Sequence, residues 1–175
     1  MAFEKIMDIT WQKETFRLLP EKAIHWPAEK TLFVADPHFG KSATFRKVGI
    51  PISDENSKDD CKKLLTLCEN TQVRKIIFLG DFLHARQGRS DSVRKLLGEW
   101  RSNCLKIELH LVRGNHDRQS GDPWQELDIR CHDEPFIGRE DRTLVRGGHS
   151  RCARARVRSR QPRGDDHNLR RDDGP

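Results

Sequence analysis

The fold of this 175-residue chain is constrained most strongly by three short apolar segments. Asp or Gly follows each of them within two residues. They are residues 31–35 (TLFVA), 75–79 (KIIFL) and 106–112 (KIELHLV). Their length and their content of β-branched and aromatic residues are typical of buried β-strands. Each is followed at once by Gly, Asp or Arg-Gly, so polar loops are predicted where the strands end.

Two segments between these strands have the apolar spacing of amphipathic helices. Apolar residues recur at i, i+3, i+4 and i+7 in both, as Cys61, Leu64, Leu65 and Cys68 and as Val93, Leu96, Leu97 and Trp100. Ser90 or Ser92 is the predicted N-cap of the second helix. Strands that alternate with helices predict an α/β fold in which helices flank the strands. Residues 6–26 are predicted to form an additional hairpin or edge element.

The basic residues change in kind along the chain. Up to Lys106 there are 12 Lys and 7 Arg, whereas the remainder has 14 Arg and no Lys. The net charge is +6, and residues 151–175, with eight Arg and four Asp, contribute +4 of it. The pI of 9.2 is therefore weak support for a nucleic-acid partner of the folded part.

The cysteines and the N-terminus predict a cytoplasmic protein. Five cysteines without a CxxC pair predict free thiols in a reducing compartment rather than a disulfide framework or a thiolate metal site. No apolar leader and no apolar segment of membrane-spanning length is present in the sequence.

Potential metal ligands follow the first predicted strand. Side chains two residues apart in an extended chain point the same way, so Asp36 and His38 can reach one cation. A carboxylate with an imidazole suits Mn, Fe or Zn better than Mg or Ca. Taken alone, the pair is better explained as a turn in which Asp36 caps backbone groups and His38 is a surface residue.

The loops after the second and third strands carry further candidates. Asp81, after Gly80, has two oxygens that could bridge two cations, although Gly-Asp after a strand is common. His84 is as consistent with an ordinary polar contact as with a site residue. Residues 115–117 (NHD) offer an amide oxygen, an imidazole that can donate a proton, and a carboxylate to orient it.

Asp-x-His, Gly-Asp and Gly-Asn-His-Asp after three successive strands rarely occur together by chance, and the sequence thereby resembles the calcineurin-like metallophosphoesterases. Within them it resembles the ligase-associated DNA damage response endonucleases over about residues 5–137. This closer similarity lies in residues 19–26 (LPEKAIHW), 35–51 (ADPHFGKSATFRKVGIP), 79–86 (LGDFLHAR), 100–101 (WR) and 111–118 (LVRGNHDR).

The resemblance implies a calcineurin-like sandwich and a site with two divalent cations, Mn²⁺ first, with Fe or Zn as alternatives. Asp36 and His38 would bind one cation, Asp81 would bridge both, and Asn115 would bind the second. His116 would act at the phosphoryl group, with Asp117 behind it. Hydrolysis of DNA phosphodiesters by in-line attack, in repair together with a DNA ligase or helicase, is the function that the resemblance implies.

The family pattern continues with a further metal-binding His and a Gly-His-x-His motif that are not clearly present here. Residues 148–151 (GHSR) begin like that motif, so His149 is a candidate ligand. Arg151, however, stands where a ligand His is expected, and a guanidinium cannot ligate a cation. We therefore expect an incomplete metallophosphoesterase domain at residues 1–146 and an Arg-rich tail at residues 147–175.

Three origins are open for this tail: a basic arm for DNA, a solvated extension without function, or a frameshifted end. The loss of Lys and of core residues favours the third. With ligands missing, we expect lower metal affinity and slight or absent activity.

Three functions therefore compete. The first is a DNA phosphodiesterase, and the second is a phosphoesterase of small molecules such as nucleotides. The third is an inactive fragment that binds nucleic acid through its Arg-rich tail.

Overall fold

The computed structural model describes residues 6–47, 49–50, 55–133, 136–137 and 144–145. The Arg-rich segment 147–175, with the candidate ligand His149, lies outside the described residues.

The described residues form nine strands and four α-helices in chain order. The first seven strands make one sheet, in the order β1 to β7. They are β1 Met7–Trp11, β2 Glu14–Leu19, β3 Ala23–Trp26, β4 Thr31–Ala35, β5 Lys75–Leu79, β6 Glu108–Val112 and β7 Ile129–His132. The helices are α1 Lys41–Lys47, α2 Glu55–Thr71, α3 Asp91–Asn103 and α4 Asn115–Ser120. β8 Phe136–Ile137 and β9 Leu144–Val145 pair with each other in a separate two-stranded sheet.

The seven-stranded sheet is antiparallel in its first half and parallel in its second. β1 to β4 form an antiparallel meander, and β4 to β7 are parallel. Helices connect the parallel strands, as the sequence predicted, and the predicted edge element at residues 6–26 is the hairpin β1–β2 followed by β3. Among the described residues, no helix has the length and apolarity needed to cross a membrane.

Alternate residues of the parallel strands enter two different apolar clusters. Leu32, Ile76 and Phe78 pack in a cluster that also contains buried residues of α2 and α3. Their neighbours Phe33 and Ile77 belong to a second cluster made of strand residues. This alternation follows from the two-residue period of a strand, and it explains why β4 and β5 carry nearly continuous apolar sequences.

Helix α3 has the predicted N-cap and a buried cation at its end. Ser90 accepts a hydrogen bond from the backbone N–H of Val93 at 3.3 Å. The guanidinium of Arg101, 7% exposed, donates to the backbone oxygen of Cys104 at 2.7 Å and to Asp128 at 3.2 Å. Arg101 therefore ties the end of α3 to the segment that enters β7.

The four described cysteines are free thiols, as the sequence predicted. Burial raises the pKa of both Cys61 and Cys68 to about 12, so neither forms a thiolate near neutral pH. They act as small residues of the core beneath α2.

Candidate metal centre

The candidate residues meet because β4, β5 and β6 are adjacent and parallel. Ala35, Leu79 and Val112 end these strands at the same edge of the sheet. Asp36, Asp81 and Asn115 follow within three residues, so the loops that carry them lie side by side.

Asp36, His38 and Asp81 lie together in the structure. One potential ligand atom from each side chain lies within 4.8 Å of the other two. The ring Nε2 of His38 is 3.9 Å from Oδ2 of Asp81. Asp81 is 1% exposed, and its Oδ1 is buried without a hydrogen-bond partner in the described part of the chain.

All three residues have a left-handed backbone, with φ of 47° at Asp36, 49° at His38 and 50° at Asp81. The extended conformation predicted for Asp36 to His38 is therefore wrong, although their side chains still converge. Left-handed residues other than glycine are uncommon and cost free energy, and they concentrate at functional sites.

Backbone hydrogen bonds hold the first two loops together. The N–H of His38 donates to the carbonyl oxygen of Asp81 at 3.0 Å, and that of Phe39 donates to Phe82 at 2.9 Å. The N–H of His84 returns a bond to the oxygen of Phe39 at 2.9 Å. These bonds extend the pairing of β4 and β5 beyond the strands and fix the two aspartates relative to each other.

The pKa of Asp36 is raised above its ordinary value, first by burial and then by the charge of Asp81. His38 and His116 act in the opposite direction, and Asp117 adds to the rise. Nearby carboxylates repel the negative charge of Asp36, and a bound divalent cation would offset this repulsion. The carboxylates, the imidazole and the unpaired Asp81 Oδ1 fit a Mn, Fe or Zn ion.

The sequence predicted that Asp117 orients the ring of His116, but in the structure Asp117 makes other contacts. Its buried carboxylate instead accepts three backbone N–H groups: Gly114 at 2.8 Å, Asp81 at 2.7 Å and Phe82 at 2.9 Å. The first of these bonds closes the start of α4, and the other two cross to the second loop. Burial raises the pKa of Asp117, and the three backbone hydrogen bonds oppose that rise.

Two glycines let the second and third loops approach closely. Gly80 has a φ of 79°, and a Cβ there would lie 3.4 Å from Cα of Gly114. Asn115, the next residue, is exposed, and its amide makes no hydrogen bond with a described residue. His116 is partly exposed, and its charge influences the pKa of both Asp36 and His84.

His84 belongs to the site, although the sequence left its role open. Its ring makes an edge contact with His38, with centroids 5.4 Å apart, and stacks on Phe45 at 6.2 Å. Its Nδ1 is buried without a hydrogen-bond partner among the described residues. Burial, followed by the charges of His38, Lys41 and His116, lowers its pKa, so the neutral ring is favoured.

A contact between Gly40 and Gly88 supports the first loop from behind. A Cβ on Gly88 would lie 2.9 Å from the carbonyl oxygen of Gly40, and a Cβ on Gly40 would lie 2.6 Å from that of Gly88. Gly40 also has a φ of 80°. Gly88 ends a 3₁₀ turn, Arg86–Gly88, and nothing in its local sequence marked it as part of the site.

Comparison with known proteins agrees with this geometry. The family model described as calcineurin-like phosphoesterase matches residues 29–172. Among solved structures, the nuclease MPE of Pseudomonas putida is 36% identical, with a TM-score of 0.65 over 76% of this chain. This chain spans 62% of the length of that nuclease. No match was found among curated proteins.

The chain belongs to the calcineurin-like phosphoesterase family. The cluster of Asp36, His38 and Asp81 has donor groups that fit a divalent metal ion, which agrees with this membership.

Proposed function

We propose that this chain is a metal-dependent phosphodiesterase that hydrolyses DNA, with an activity lowered because the family's later His motifs are not clearly present. The observation that carries the proposal is the cluster of Asp36, His38 and Asp81, held within 4.8 Å where parallel strands end. The similarity to a nuclease over 76% of the chain supports nucleic acid as the substrate class. The resemblance to ligase-associated endonucleases extends the proposal to DNA repair alongside a ligase or helicase.

We assign Asp36 and His38 to one cation and Asp81 to a bridging position between two. The two carboxylate oxygens of Asp81 support that assignment, since Oδ2 is near His38 while Oδ1 is buried and unpaired. Asn115 is the proposed ligand of the second cation, with His149 as a further candidate. Mn²⁺ is the proposed ion, because the donors are oxygens and imidazole without thiolate.

Divalent cations at such a site supply Lewis acidity toward the phosphoryl group. The protein's own contribution is positioning. Asp117 fixes the amides of Asp81 and Phe82, so the carboxylate of Asp81, which would hold metal ions, is oriented before substrate arrives. We assign to His116, whose charge influences the pKa of Asp36, the stabilisation of negative charge on a phosphoryl oxygen or the donation of a proton to the departing oxygen.

Substrate preference distinguishes the proposed nuclease from the competing function, a phosphoesterase of small molecules. Hydrolysis of bis(4-nitrophenyl) phosphate, 4-nitrophenyl phosphate and a single-stranded oligonucleotide would be compared in Mn²⁺. We expect the diester and the oligonucleotide to be cleaved and the monoester to be cleaved poorly. A preference for the monoester would overturn the nuclease proposal.

The role of His116 is tested by His116→Gln, with Arg118→Gln on the same helix as the control. A proton donor or charge stabiliser at this position contributes about 100-fold or more to kcat. We expect a loss of that size in His116→Gln and little change in Arg118→Gln. Equal rates in the two variants would remove His116 from the reaction.

A further inference from the structure

A cavity adjoins the metal centre on the side of β3 and α2. Its volume is about 430 Å³, and Asp36 and His38 form part of its wall. Lys22 of the turn before β3, Lys41 of α1 and Lys63 of α2 line the same cavity, as do Asp59 and Asp60 of α2. We call these three lysines the lysine cleft.

Strand direction explains why Lys22 is there. β3 and β4 are antiparallel, and Ala23 pairs with Val34. The residue before β3 therefore lies beside the residues after β4, which places Lys22 next to Asp36. Lys22 has a left-handed backbone, with φ of 60°, and it is exposed.

Two of the three lysines have no acidic partner among the residues that the structure describes. On α2, Asp60 pairs with Lys63 and Asp59 pairs with Lys62, each at 4.0 Å, so the carboxylates of that helix are balanced locally. Lys22 and Lys41 are exposed and form no ion pair with a described residue. Two uncompensated ammonium groups beside a metal centre favour an anionic ligand.

The anion that fits is a second phosphate on the same substrate. A cation at Asp36, His38 and Asp81 would hold the scissile phosphate, and the lysine cleft begins at that same wall. Lysine is a flexible point charge that binds phosphate oxygens without reading a base. A strand of nucleic acid presents a phosphate at every nucleotide, whereas a simple diester has one.

Building on the proposed function, we propose that the lysine cleft binds the phosphate next to the scissile one in a nucleic-acid strand. Lys22 and Lys41 supply the principal contacts, and Lys63 supports them while it is paired with Asp60. The cleft thereby selects strands over isolated phosphodiesters, independently of base sequence.

The test compares two substrates in the full-length chain and in Lys22→Gln, Lys41→Gln and the double variant. Lys95→Gln is the matched control, because Lys95 is an exposed lysine of α3 that does not line the cavity. The substrates are a fluorescein-labelled single strand and bis(4-nitrophenyl) phosphate, both in Mn²⁺. All variants change exposed side chains, and circular dichroism checks their folding.

We expect kcat/KM for the strand to fall about fivefold more than kcat/KM for the simple diester for each lysine removed. The slope of log Kd for the strand against the logarithm of the salt concentration should decrease by about 0.7 for each lysine removed. Lys95→Gln should change neither quantity. Equal losses on both substrates, or no loss on the strand, would overturn the lysine cleft.

The two proposals fail in different ways. A wild-type chain that cleaves neither substrate contradicts the proposed function. In that case the lysine cleft is still tested by binding of the strand, which fluorescence anisotropy measures without any need for turnover. An unchanged salt dependence in the double variant then overturns it.

Discussion

The carboxylate of Asp117 accepts a hydrogen bond from the backbone N–H of Asp81 at 2.7 Å, although 36 residues separate the two in sequence. A residue of the third loop therefore orients Asp81, the central candidate ligand of the second loop. The same carboxylate also binds the N–H of Phe82 and of Gly114. Asp117 is thus a positioning residue, and its contacts predict a structural as well as a functional effect of mutation.

Replacing Asp117 with Asn should destabilise the fold and impair the site. The amide offers one acceptor oxygen, and its NH₂ group would face a backbone N–H donor. Because hydrogen bonds to a buried charged group contribute about 1.5–3 kcal/mol each, we expect a loss of about 2 kcal/mol in unfolding free energy. Urea denaturation measures it.

The control for that variant is Asp8→Asn in β1. Asp8 is half exposed and pairs with Arg17 at 3.3 Å, so its loss should change stability by less than about 1 kcal/mol. Equal stability of Asp117→Asn and Asp8→Asn would show that the three backbone contacts do not matter.

Gly88→Ala tests the contact behind the first loop. Its Cβ would be 2.9 Å from the carbonyl oxygen of Gly40, closer than real Cβ contacts, so the backbone must move. We expect a lower Tm and weaker Mn²⁺ binding by calorimetry, since the movement reaches the loop that carries Asp36 and His38.

Gly98→Ala on α3 is the matched control for Gly88→Ala. A Cβ at Gly98 would meet nothing within 4 Å, and alanine is favoured in a helix by about 0.5–1 kcal/mol. This substitution should raise Tm and leave Mn²⁺ binding unchanged. If both variants raise Tm and bind the metal normally, the close contact of Gly40 and Gly88 has no role in the site.

Stability should fall as the pH drops below about 6.5 because of a pair of histidines between β6 and β7. His110 Nδ1 and His132 Nε2 are 2.9 Å apart, and the rings stack. Burial is the largest influence on both, and it lowers both pKa values below 6.5. Between the folded pKa and 6.5 the unfolded chain binds more protons, so unfolding free energy rises with pH across that window.

The slope in that window can reach about 1.4 kcal/mol per pH unit for each proton. Urea denaturation across it should show a shallower slope in His110→Gln than in the wild type. Glu108→Gln should instead make this slope steeper, because Glu108 raises the pKa of His110 and removal of Glu108 lowers that pKa further. An unchanged slope in both variants would contradict the assignment to this pair.

The strands and the main candidate ligands could be located from the sequence because their signals are local. β4 and β5 have the predicted bounds, and β6 begins at Glu108, two residues later than predicted. Ser90 caps α3 through a contact within its own turn. Asp36 and Asp81 were predictable because apolar strands end immediately before them.

The remaining features depend on contacts between distant segments. Asp117 binds backbone amides of the second loop, and because every residue except proline has a backbone N–H, the sequence does not indicate which amides are bound. Gly88 approaches Gly40 across 48 positions, and Lys22 reaches the site only because β3 is antiparallel to β4. None of these relationships has a spacing that a sequence pattern could reveal. The candidate ligand His149 and the interpretation of the tail remain predictions.

The most direct test of the metal centre is Mn²⁺-dependent hydrolysis of bis(4-nitrophenyl) phosphate by the wild-type chain, Asp81→Ala and Asp8→Ala. The account predicts turnover by the wild type and Asp8→Ala that requires Mn²⁺, and loss of turnover in Asp81→Ala. Turnover that persists in Asp81→Ala, or a wild-type chain that shows none with Mn²⁺, would contradict it.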